Sequence, residues 1–316
     1  MTVIAKNTSI PIKLDLYDKK LIYLLSQDMR TSQRELAHKL RISPERVHYK
    51  VNRLIDEILS PAMTLDLVML GLQNAVILVE RLEQDAAEAL LQCPDIIMYF
   101  RILSRNQYLM IVSTLNLDSF CKKYLSDAHF TVHDIITFIP DDYNAFGLDL
   151  QPIQLSKRGD IYLEKRDYKI LAKLAEDPVS SLLEISKTTH IDRNTIRSRI
   201  ELLKKSGVIL KFRYGINMFK IGMLIYFIRL QTSPSSKKRL IPFLRSNKFS
   251  GFIYETLDGL FMFYMPPDQR PLFEFTNQIA EHDSTVRIEI LQAADFFKVE
   301  PLPKGLIPIL KEKANQ

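Results

Sequence analysis

Residues 14–43 read LDLYDKKLIYLLSQDMRTSQRELAHKLRIS, and their apolar positions fall at helical spacing. Leu21, Leu24 and Leu25 share one face, Leu36 and Leu40 a second, and Val47, Val51 and Leu54 continue the pattern beyond the stretch. Ser32 with Glu35 three residues later predicts a capping box at a second helix. Ser43 followed by Pro44 predicts the start of a third. The short turn at 40–43 suits a helix-turn-helix.

The same unit occurs twice. Asp18, Leu21, Ile22, Leu25, Leu36, Ile42, Val47, Lys50, Val51 and Leu54 recur 149 positions later as Asp167, Ile170, Leu171, Leu174, Ile185, Ile191, Ile196, Arg199, Ile200 and Leu203. A period this long indicates duplicated domains and not a solenoid. Gly71 and Gly222 lie 151 apart, so a small indel follows the helices.

Past Gly71 the pattern changes to strand-like runs at 75–82, 96–103, 108–115 and 132–139, with helical stretches near 84–92 and 116–127. The second copy repeats this order. Its strands are expected at 223–230, 251–257, 260–265 and 286–292, and its helices near 235–246 and 268–281. Asp258-Gly259 is a hairpin signal. The order βαββαβ predicts an antiparallel sheet with both helices on one face. The fold class is therefore α+β, with tandem winged helix-turn-helix domains each followed by a ferredoxin-like domain. The expected boundaries are 1–66, 67–150, 151–217 and 218–316, the last ending in a C-terminal tail, with a linker at 140–160.

With 316 residues, of which 47% are apolar, the chain has enough material for several cores. No apolar run approaches the ~20 residues of a membrane span, and residues 1–13 do not read as a signal peptide. A cytoplasmic protein without a membrane partner is expected. Cys93 and Cys121 form no CxxC pair, and His38, His48, His129, His133, His190 and His282 form no ligand set. Neither a metal nor a cofactor is expected. The net charge of +6 favours a polyanionic partner.

These residues resemble the leucine-responsive/AsnC (Lrp/AsnC, feast/famine) transcription regulators in a tandem-duplicated form. The resemblance is carried by Leu14, Asp15, Asp18, Asp28, Arg30, Glu35, Leu36, Ala37 and Ser43, and in the second copy by Asp167, Glu184, Ile185, Gly207, Val208 and Ile209. It implies sequence-specific binding of double-stranded DNA. It further implies βαββαβ domains that sense ligands and pair into a homodimer or higher oligomer. An amino-acid-like effector is implied at a Gly-containing acidic turn. The second copy keeps that turn as Asp258-Gly259, and the first replaces it with Ser104-Arg105-Asn106-Gln107. Ile58 stands where the second copy has Gly207, so the first wing is expected to turn differently.

The third helix of such a motif enters the major groove. With Ile196, Ile200 and Leu203 inward, the second copy offers Arg193, Asn194, Arg197 and Ser198, joined by Lys204 and Lys205. Arg can pair two-pronged with guanine and Asn with adenine. The first copy offers Arg46, His48, Tyr49, Lys50, Asn52 and Arg53. Residues 192–213 hold seven cations and two anions, whereas residues 43–64 hold three of each. The second module is therefore expected to supply most of the affinity for phosphates.

A non-enzymatic role is the main expectation. Siroheme decarboxylases share this architecture and use a His and an Arg beside a bound tetrapyrrole. The matching segment at 96–112 has Arg101 and Arg105 without a His, and 252–264 has neither. A co-regulator that does not bind DNA is the other alternative.

Overall fold

The computed structural model describes residues 11–80, 82, 84–104, 107–126, 128–139 and 161–316. The expected linker at 140–160 and the residues Arg105 and Asn106 lie outside them. Among the described residues no helix is long and apolar enough to cross a membrane.

Each copy opens with three helices. They are α1 (Leu16–Gln27), α2 (Gln33–Leu40) and α3 (Pro44–Glu57) in the first copy. Asp15 and Asp18 close a capping box on α1, and Ser43 caps α3. Ser32 caps α2, but the Glu35 carboxylate pairs with Lys39 one turn on, at 2.8 Å, so the expected box there is only half made. The turn after α2 passes through Arg41 at φ +54. Its counterpart 149 positions later, His190, does the same at φ +58. Both turns therefore place a non-glycine residue in the left-handed region, at a local cost.

Strand β1 (Leu59–Leu65) follows α3 as the first wing strand. It pairs with a strand of the second copy, 150 residues away in sequence. That copy supplies α6 (Lys165–Glu176), α7 (Leu182–Thr189) and α8 (Arg193–Lys205), then β6 (Ile209–Ile216). The two wing strands form one antiparallel ribbon in which Leu59 faces Ile216 and Ala62 faces Arg213. The side chains cross over as well. Met63 and Leu65 pack into the core of α6–α8 beside Ile170, Ile196 and Leu203. Tyr214 and Ile216 pack against the core of α1–α3, which holds Leu21, Val51 and Leu54. Gly207 enters its strand at φ +83, whereas Ile58 sits at φ −139, so the two wings do begin differently.

Between β1 and α6 lie β2 (Gln73–Glu80), α4 (Gln84–Ala89), β3 (Ile96–Ile102), β4 (Gln107–Thr114), α5 (Leu117–Tyr124) and β5 (His129–Ile139). After β6 come β7 (Tyr226–Gln231), α9 (Pro234–Ser246), β8 (Ser250–Thr256), β9 (Gly259–Tyr264), α10 (Arg270–His282) and β10 (Arg287–Val299). Each set has the order β5-β2-β4-β3 or β10-β7-β9-β8, the ferredoxin-like arrangement. The sheets then join edge to edge, β3 with β10 and β5 with β8, into a closed eight-stranded barrel. The expected pairing of sheet domains thus occurs inside one chain. Closure pairs the outer edges of both sheets with one another.

Alternation along the strands sorts the barrel into an inside and an outside. Val76, Leu109, Ile111, Phe227, Phe261 and Phe263 point inward, and Phe100 meets Phe227 edge-on at 4.9 Å across the two copies. Their neighbours Ile77, Met110 and Val112 pack under α4 and α5. Ile228, Leu260 and Met262 pack under α9 and α10. The C-terminal segment, expected as a tail, forms α11 (Leu306–Asn315). It packs on α6 through Leu306 and Leu310, and Lys313 donates to the Leu70 carbonyl at 3.1 Å.

Candidate nucleic-acid interface and barrel cavity

Helix α8 is held from beneath and open above. Ile196, Ile200 and Leu203 are buried in the core of the second unit. Asp192 caps the helix, its carboxylate accepting the backbone N–H of Asn194 at 2.8 Å. Arg199 points inward onto the fully buried Asp167 and also reaches Glu164 at 3.2 Å, tying α8 to α6. On the other face Arg193, Asn194, Arg197, Ser198 and Lys205 are all exposed. Lys204 is half-buried, 3.4 Å from Glu201, with its ammonium over the Phe212 ring.

Helix α3 uses its cations differently. Lys50 is buried between two carboxylates, 2.6 Å from Asp15 and 2.8 Å from Asp18. Arg53 reaches Asp18 at 2.7 Å and is half-buried. Both therefore leave the outward set, which corrects their expected availability to a groove. Arg46 lies over the Tyr17 ring at 4.8 Å. His48 joins Gln33 at 3.2 Å and Asn52 at 3.0 Å, leaving Tyr49 exposed. The Asp15 carboxyl is opposed by burial, but hydrogen bonds from Lys50 and from the Asp18 backbone prevail and hold it at about 2.

Asp258 and Gly259, the expected effector residues, sit at the tight turn between β8 and β9. The Asp258 carboxylate accepts from Arg229 at 2.5 Å and from the Thr256 hydroxyl at 2.9 Å. A Cβ on Gly259 would lie 1.8 Å from the Leu230 carbonyl oxygen, so close strand approach accounts for the glycine. Neither residue lines the cavities described next.

The wing ribbon roofs one end of the barrel. Its lower face carries Ser60, Ala62, Arg213 and Gly215 over a cavity of about 160 Å³. Below lie Met98, Phe100, Phe252, Phe263, Met265 and Phe296 from the barrel interior. A second space of about 80 Å³ adjoins it, sharing Met98, Arg213, Phe252 and Pro301. This cavity has no local sign in the sequence, because its walls come from both copies and are joined only by the ribbon and barrel closure.

A family model described as winged helix-turn-helix DNA-binding matches twice, at residues 14–57 and 163–209. The chain is 37% identical over 82 residues to an uncharacterized HTH-type transcriptional regulator of Pyrococcus horikoshii, covering 26% of this chain and 52% of that protein. It is 34% identical over 82 residues to the proline dehydrogenase transcriptional activator of Rhizobium radiobacter, covering 26% and 53%. The chain thus spans about half the length of the curated relatives it matches. Among solved structures, the siroheme decarboxylase NirDL superposes with a TM-score of 0.64 over 95% of this chain and 98% of its own, at 13% identity. That likeness is one of fold. It nonetheless overturns the expectation of a non-enzymatic role, because the near-complete architecture is one that an enzyme also uses. The chain holds two winged helix-turn-helix segments, each followed by a ferredoxin-like unit, and its fold as a whole is like that of NirDL.

Proposed function

We propose that the protein is a sequence-specific DNA-binding transcription regulator in which α8 makes the principal duplex contact. The observation that carries this reading is the asymmetry between the third helices. Arg193, Asn194, Arg197 and Ser198 stand exposed on α8, while Lys50 and Arg53 of α3 are spent on Asp15 and Asp18. Arg and Asn at the start of a recognition helix suit guanine and adenine edges, and the nearby Lys205 suits a phosphate. The two helix-turn-helix matches and the named regulators among the relatives support the same reading. The test is selection of bound fragments from random duplexes, followed by anisotropy titration. Arg193→Ala with Arg197→Ala is expected to weaken the selected site at least ten-fold with the fold intact by circular dichroism. Unchanged affinity would overturn the reading.

A second reading, an enzyme on the same scaffold, is favoured by the full-length likeness to NirDL. The cavity residues do not fit an iron tetrapyrrole. At about 160 Å³ the cavity is smaller than the ~300–1,000 Å³ of typical ligand pockets. Arg213 is the one basic residue among its described lining, a poor match for a uroporphyrin's many carboxylates. Titration with an iron uroporphyrin, read in the Soret region, separates the two: a saturable spectral shift with no DNA binding would favour the enzyme.

A further inference from the structure

Helix α3 carries on its open face a hydrogen-bonded chain with no counterpart on α8. Asn52 Nδ2 lies 3.0 Å from Nε2 of His48, one turn earlier, and His48 Nδ1 lies 3.2 Å from Oε1 of Gln33 on α2. An amide nitrogen only donates and an amide oxygen only accepts, so the chain has one polarity. Asn52 donates to Nε2, and the imidazole donates its Nδ1–H to Gln33. All three side chains are exposed. Water competes for bonds of this kind, so they add little to stability, and Asn is itself a poor helix former. What the chain does fix is direction. Among the described residues nothing engages the Asn52 carbonyl oxygen or its second N–H. An acceptor and a donor on one amide match the N6–H and N7 groups on the major-groove edge of adenine. The corresponding positions of the second copy hold Leu182, Arg197 and Glu201, and Glu201 lies 3.4 Å from Lys204.

The ribbon sets α3 and α8 in equivalent places. Matching residues of the two copies lie 149 apart in the helices and 151 apart at Gly71 and Gly222. Ala62 pairs antiparallel with Arg213, 151 positions further on, and Pro61 with Tyr214 and Met63 with Phe212 flank it evenly. Matching residues thus meet at the ribbon's centre, which is the mark of a local two-fold axis. Two-fold readers of duplex DNA meet half-sites about one helical turn apart, ~10 base pairs. We propose that α3 reads an adenine through Asn52, with His48 as the residue that positions it, at a half-site about one turn from the one that α8 grips. The inference rests on the regulator reading and adds to it. With Arg197 on one helix and Asn52 on the other, the two half-sites differ in sequence.

The experiment scans the duplex that the full chain selects from random sequences, replacing each adenine in turn by 7-deazaadenine, which lacks the N7 acceptor. Anisotropy titration reads the affinity. For the unaltered protein one replacement, about a helical turn from the base pair that Arg197→Ala affects, is expected to weaken binding about ten-fold. For Asn52→Ala the same replacement is expected to cost nothing further. His48→Ala is expected to lose most of that discrimination, and His48→Gln, which keeps an acceptor there, to recover part of it. The readout is discrimination between two bases, which a loss of stability in a variant does not imitate. Three results would overturn the inference: no N7-sensitive adenine in that half-site, a penalty that persists in Asn52→Ala, or discrimination that His48→Ala leaves whole. The scan uses the unaltered protein, so it decides the matter even if a variant fails to fold. A chain that selects no duplex overturns this inference and the regulator reading together. A motif that depends on Arg193 and Arg197 but has no N7-sensitive adenine in the other half-site overturns this inference alone.

Discussion

Ala62 of the first copy faces Arg213 of the second across a ribbon that neither copy can build alone. The residue after Ala62 shows what the exchange is worth. Met63 is fully buried in the partner unit's helical core. Met63→Ala should cost about 2–5 kcal/mol, the usual penalty of emptying a large core site. Because the site belongs to both units, denaturant unfolding followed by circular dichroism should still show one transition, moved to lower concentration. Two separated transitions would contradict the coupling.

Neighbours on α8 should respond oppositely to the same change. Arg199 is paired with the fully buried Asp167, so Arg199→Ala strands a carboxylate and should destabilise by about 3–5 kcal/mol. Arg197 is exposed, and Arg197→Ala should move stability by no more than about 0.5 kcal/mol. Chemical denaturation of the two variants side by side checks the contrast.

Arg41 and His190 hold left-handed conformations that cost a residue with a Cβ about 1 kcal/mol relative to glycine. Arg41→Gly and His190→Gly should each recover part of this, raising the melting temperature by a few degrees. Calorimetry that shows a lower value for both would mean that side-chain contacts outweigh the strain.

Asp15 gives the first unit an acid limit. Its carboxyl titrates at about 2 in the fold and at its ordinary 3.8 when unfolded. A depressed carboxyl contributes stability that is present above the unfolded value and lost as pH falls toward the folded one. Stability should therefore decline between about pH 4 and 2, and Asp15→Asn should flatten that part of the profile. Urea midpoints taken across this range give the comparison.

Two single substitutions distinguish base reading from phosphate binding in the proposed interface. Lys205→Ala should weaken all duplexes alike and reduce the slope of log affinity against log salt by about 1. Asn194→Ala should leave the slope unchanged but relax the selected motif at one position, a loss of about 1–3 kcal/mol in discrimination. Anisotropy titrations at several salt concentrations read both.

Much of this was legible in the residues. Ser43 and Pro44 mark where α3 begins, and the alternation Ile77/Leu78 and Tyr108/Leu109 sorts the barrel's outer and inner faces. The role of Lys50 was legible too, though only by reading pairs. Asp18 and Lys50 recur together as Asp167 and Arg199, and an acid and a cation retained at one offset form an internal ion pair. Pairings such as Arg101 with Asp295, or Ala62 with Arg213, have no local trace, since register between distant strands follows from tertiary packing. Helix α11 left a fainter one, in the four-residue spacing of Leu306, Leu310 and Ala314.

Barrel closure within a single polypeptide frees the halves from sharing a gene segment. In a dimer of identical chains every substitution strikes both subunits, so a residue good for gripping a groove in one is imposed on the other. Here position 48 can be histidine while its counterpart is Arg197, and position 207 can be glycine opposite isoleucine at 58. Dilution cannot part the halves, so each is at liberty to diverge from the other, and on the proposed reading the duplex site that α8 grips need have no palindrome.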